Sequence, residues 1–150
     1  MDENLVKELN KFLKGIHMGE DTFKDYLKKA QDNELIVVLT EIIQSFERHD
    51  EAMTNRISEL GGKPIDNVGF FGEMAEAWEE IKLMVMDSDA EVCNAAIKAI
   101  DMGLKNGNKF IDEHKDIDPK ILSDMKAIVD DYDSSLMKVK KIFLLIQLSI

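Results

Sequence analysis

The chain has 150 residues, one cysteine, two prolines and a formal net charge of −11 from 19 basic and 30 acidic side chains. A lone Cys93 excludes an internal disulfide framework and a zinc site built from cysteines. The negative excess disfavours broad binding to a phosphate backbone, and few prolines beside abundant Leu, Ile, Lys, Glu and Met favour helices.

The first helix is predicted over about 3–30. Leu9, Leu13, Ile16, Glu20, Phe23 and Leu27 recur every three or four residues, the stripe of a helix facing a bundle. Gln31-Asp32-Asn33 is a short polar break, and such breaks join antiparallel neighbours. The second helix, about 34–60, carries Leu35, Leu39, Ile42, Phe46, His49, Met53, Ile57 and Leu60. Gly61 follows as a left-handed cap and Pro64 prevents resumption.

After a loop over 61–70, a shorter helix is expected over about 71–86, with Phe71, Met74, Trp78, Ile81 and Val85 inward. Ser88 and Glu91 form a capping box for a helix running to about 114, whose stripe is Cys93, Ile97, Ile100, Leu104, Gly107 and Ile111. Asp118 caps the last helix and Pro119 takes its first position. That helix, about 119–147, repeats Ile121, Met125, Ile128, Tyr132, Ser135, Val139, Ile142 and Ile146. The reading is one all-α domain: four long helices, two short connections, and a long crossover with a helix of its own. That is the connectivity of a ferritin-like four-helix bundle.

The chain also resembles an uncharacterised bacterial family of ferritin-like four-helix-bundle proteins, a domain-of-unknown-function family. The resemblance spans about Leu5 to Lys141. It rests on the Gly19-Glu20 step, the Leu60-Gly61-Gly62-Lys63-Pro64 stop, the Trp78 helix and the Asp116-to-Pro119 junction. It implies a ferritin-like bundle and no settled activity.

A ferritin-like di-iron centre takes a Glu from each of two helices and a Glu-x-x-His pair from each of the other two. Glu20 and His49 are the metal-ligand candidates, since both fall within apolar stripes, but Phe46 stands where the Glu preceding His49 would belong. Neither of the last two helices has an inward Glu-x-x-His. The expectation is no resident cofactor, with iron or another divalent metal as the alternative. No nucleophile elbow, phosphate loop or dinucleotide fingerprint occurs, and Cys93 reads as a small buried hydrophobe.

Two features suggest contact instead of chemistry. Ala95, Ala99, Gly103 and Gly107 form a small-residue ridge that accepts a close neighbour, either within the chain or on a second copy. The tail from Ile142 to Ile150 is apolar on nearly every face, beyond what one bundle groove can cover. The expected function is therefore a non-catalytic bundle acting by self-association, as a homodimer or higher oligomer, or by partner binding. The alternative is a carboxylate- and histidine-based metal protein in redox or metal handling. The segment MDENLVKELN lacks the basic start and apolar run of a signal peptide, and no stretch is apolar enough to span a bilayer. With its lone cysteine, the chain is expected in the cytoplasm.

Overall fold

A computed structural model describes residues 2–66 and 75–149. The helices are α1 (Glu3–Lys29), α2 (Asn33–Glu59), α3 (Ala75–Lys82), α4 (Asp89–Glu113) and α5 (Pro119–Leu148). No strand occurs among the described residues.

Short polar side chains start the long helices by accepting from backbone N–H groups that have no partner in the first turn. Asp2 accepts from Leu5, and Asp32 from Leu35, each at 3.0 Å. Ser88 accepts from Glu91 at 3.2 Å, and the Glu91 carboxylate reaches back to the Asp87 N–H at 3.2 Å. Asp118 caps α5 ahead of Pro119. At the end of α2, Gly61 has φ 81°, its N–H donates to Ser58, and the Gly62 N–H donates to Ile57. That pair of bonds is the Schellman stop, which the Gly-Gly step permits.

The antiparallel pairs α1/α2 and α4/α5 close into a bundle through α2 against α5 and α1 against α4. Asp89, at the start of α4, accepts from the Gln31 and Asp32 N–H groups at 2.8 and 3.0 Å. The crossover that left the far end of α2 has thus returned along the bundle to the α1–α2 turn. Its beginning is fixed by Asn10, whose amide donates to the Lys63 carbonyl at 3.0 Å and accepts from the Ile65 N–H at 2.8 Å.

The crossover helix ends earlier than its periodicity predicts, at Lys82 and not near 86. Phe71 and Met74 lie outside the described residues. Trp78 and Ile81 are buried, but Val85 is 61% exposed. A tighter bond from the Met84 N–H to the Ile81 carbonyl closes the helix, and the chain then extends to the Ser88 cap.

On α4 the expected stripe is buried at Cys93, Ile100 and Gly107, and the buried face spreads to one side of it. Ala95, Ala96, Ala99 and Phe110 are buried, whereas Ile97, Leu104 and Ile111 are half-buried. The small residues win because they let neighbours approach. A Cβ on Gly103 would lie 3.0 Å from the Tyr132 ring, and one on Gly107 would lie 2.6 Å from Val129 Cγ2. That part of the ridge is spent on seating α5 within the chain.

Candidate functional site

The bundle centre is aromatic. Phe46 of α2 lies 5.4 Å from Phe23 and 5.7 Å from Tyr132, centroid to centroid, and Tyr132 lies 5.4 Å from the His49 ring, edge-on. Gly19 makes room for this cluster: a Cβ there would sit 2.7 Å from the Phe46 ring. The Gly19-Glu20 step thus has a packing cause.

The two metal-ligand candidates have separate partners. Glu20 is only partly buried and pairs with Lys24 one turn along α1, at 3.1 Å. His49 is buried, and its Nε2 lies 2.8 Å from Asp131 Oδ2 on α5. A second histidine–carboxylate pair joins His17 to Asp50 at 3.3 Å. Local periodicity does not pair His17 with Asp50 or His49 with Asp131, because a partner on another helix leaves no trace in it. Burial pulls the His49 imidazole below its ordinary value, and the bond to Asp131 opposes that without overcoming it.

Two-iron chemistry in a ferritin-like bundle needs carboxylates and imidazoles converging on one point. Among the described residues, no three His, Cys, Asp or Glu side chains do so. Phe46 and Tyr132 fill the space between the helices, and His49 is engaged by a carboxylate. The residues present therefore do not fit a two-metal centre. Cys93 is fully buried, and burial pushes its thiol up to about 11, which leaves it a protonated packing group and not a nucleophile.

A cavity of about 600 Å³ opens beside this centre. Phe46 and Tyr132 reach it from the core, Trp78 from α3, and Phe12, Ile100 and Phe110 from the facing walls of α1 and α4. The Trp78 indole N–H is buried with no hydrogen-bond partner among the described residues.

The remaining candidate is the end of α5. Ile142 is buried, and Phe143 and Ile146 are half-buried against the bundle. Leu144, Leu145 and Leu148 are 57%, 46% and 73% exposed, and Met137 and Val37 add further exposed apolar surface. Alongside runs a shallow groove floored by Val38 and Ile142 and edged by Glu34, Lys138 and Lys141. One groove thus covers part of the tail and leaves the rest in water. No helix among the described residues is long and apolar enough to cross a membrane.

No curated protein matches the chain. Among solved structures, it is similar to a two-domain protein from Anabaena variabilis that contains DJ-1/ThiJ/PfpI-like and ferritin-like domains. The similarity covers 100% of this chain and 39% of that one, with a TM-score of 0.80 and 19% identity. The chain thus spans well under half the length of that protein, and the likeness is one of fold: the bundle is ferritin-like. A family model described as a domain of unknown function, DUF2383, matches residues 4–113, from α1 through α4. With nearly three-quarters of its length inside that match, the chain belongs to the DUF2383 family.

Proposed function

We propose that this ferritin-like bundle acts by association, and that a second copy of the chain covers the end of α5. The observation that carries the reading is the exposure of Leu144, Leu145 and Leu148 on one helix end. Large apolar side chains grouped in water mark a contact surface, and burying each stabilises a complex by roughly 1.5–3 kcal/mol.

Self-pairing is favoured over an unrelated partner by the charges around the patch. Two chains of net charge −11 repel one another at most approaches. Beside α5, however, Glu34, Lys138 and Lys141 share one groove, with Lys138 held by Glu41 of its own chain at 3.2 Å. A two-fold contact places each patch on its own copy, so lysines of one meet glutamates of the other. Deleting residues 143–150 and comparing solution mass tests this. The full chain is expected as a dimer and the shortened chain as a monomer. Equal masses for the two would overturn the reading.

A further inference from the structure

Five aromatic side chains, Phe12, Phe46, Trp78, Phe110 and Tyr132, wall the cavity beside the bundle centre, in a chain with seven Phe, two Tyr and one Trp. Its volume of about 600 Å³ falls within the roughly 300–1,000 Å³ typical of small-molecule sites. Protein interiors are otherwise packed as closely as organic crystals, and apolar cavities take up apolar molecules of matching size. Walls made of ring edges and faces favour a flat aromatic occupant, which meets them edge-on or offset.

The polar groups around this space decide the occupant's charge. Lys11 is held by Glu8 at 3.5 Å, and the Asn10 amide is spent on Lys63 and Ile65. Lys14 and Asn106 are engaged as well. Lys7, Lys109 and Glu113 are exposed, and ions that stay in water add little to binding. A charged occupant would leave water without a dedicated counter-ion. One polar group of the wall is unspent. Five buried polar atoms lack a hydrogen-bond partner among the described residues, and of these only the Trp78 indole N–H belongs to a residue lining the cavity. An indole N–H donates and cannot accept, and buried donors ordinarily have an acceptor.

We propose that this cavity binds an uncharged, flat aromatic molecule carrying one hydrogen-bond acceptor: its ring lies among Phe12, Ile100 and Phe110, and its acceptor takes the Trp78 N–H. The rings select for an apolar body, and the single donor selects for a carbonyl-like oxygen on it. A hydrocarbon of the same shape keeps only the first half of the interaction, and an ionised analogue loses its hydration on entry. The site is separate from the end of α5 and does not depend on association there.

Trp78 is the sole tryptophan of the chain, so its indole N–H gives one signal in a proton–nitrogen NMR spectrum. Acetylnaphthalene, ethylnaphthalene and naphthoate, substituted at the same ring position, are titrated below their solubility limits, with affinities read by calorimetry. The ketone is expected to bind at one molecule per chain and to move the indole proton downfield. The hydrocarbon is expected to bind about tenfold weaker, for want of the hydrogen bond, and to cause no downfield shift. The carboxylate is expected to bind more weakly than the ketone. Trp78→Phe keeps a ring and removes the donor, so it should bring the ketone down to the affinity of the hydrocarbon. Should Trp78→Phe fail to fold by circular dichroism, the three probes on the unchanged chain decide alone. Leu144→Glu with Leu148→Glu should leave ketone binding unchanged. The proposal is overturned if the ketone shows no saturable binding, leaves the indole signal in place, or binds no tighter than the hydrocarbon. It is equally overturned if the carboxylate binds tightest or if binding disappears with the α5 leucines.

Discussion

At the bundle centre Phe46 and Tyr132 are 4% and 5% exposed, while near the end of α5 Leu144 and Leu148 are 57% and 73% exposed. Both regions are rich in large apolar side chains, and both lie on helices whose stripes continue without a break. What differs is the neighbour. At the centre, Gly19 and Gly103 draw the helices close enough for rings to interlock. Past Ile142 the bundle covers only one side of α5, and the other side projects into water. Apolar patterning thus specifies that a surface will be covered, and the surrounding helices decide whether the same chain does the covering.

The sharpest break in this comparison comes from Phe46. Phe46→Ala removes a ring shared by Phe23 and Tyr132, and is expected to cost about 3–5 kcal/mol, read from urea unfolding. A loss under about 1 kcal/mol would mean that the centre is loosely packed.

Gly107→Ala tests whether the small-residue ridge is engaged inside the chain. The new methyl meets β-branched Val129, and overpacking of this kind costs about 1–3 kcal/mol, while the better helix propensity of Ala returns about 1. A net loss on the order of 1 kcal/mol is expected in thermal melts. A net gain would show the ridge open on that side.

A subtler effect concerns His49. Its native pKa lies below the ordinary histidine value because burial outweighs the bond to Asp131. The unfolded chain therefore binds the proton first as pH falls. Stability contributed by neutral His49 is fully present above about pH 6.5 and is lost as pH drops through the native pKa. Denaturant midpoints at pH 5 and pH 7.5 should differ less in His49→Gln than in the unchanged protein. An equal difference would remove His49 from the acid response.

The smallest folding effect is expected at the other pole of the comparison. Leu144→Glu and Leu148→Glu touch little within their own chain, so each should shift monomer stability by no more than about 0.5 kcal/mol.

The four long helices were legible because their signals are local. Asp32, Ser88 and Asp118 announce starts, and Gly61 before Pro64 announces a stop. The α5 stripe from Ile121 to Ile142 is buried as read. The candidate site was less legible. Glu20 interrupts an apolar stripe, yet it sits at the stripe's edge and bends to Lys24. Its position in the period gave its side but not its depth. His49 was correctly placed inward, but its partner Asp131 lies 82 residues away. Burial of Lys14 had no signal at all, since a lysine beside a stripe ordinarily extends its stem and keeps its charge in water. The cavity that encloses it forms only when α1, α3 and α4 meet. The role of Asp89 in anchoring α4 to the α1–α2 turn likewise depends on bonds to residues more than 50 positions away, which local patterning does not carry.

Association through the end of α5 is tested most directly by sedimentation equilibrium of the full chain beside the Leu144→Glu/Leu148→Glu double variant. The account predicts a reversible dimer for the former and a folded monomer for the latter, with matching circular dichroism. A monomeric full chain at about 100 μM, where complexes with micromolar dissociation constants are formed, or a double variant that still dimerises, would contradict it.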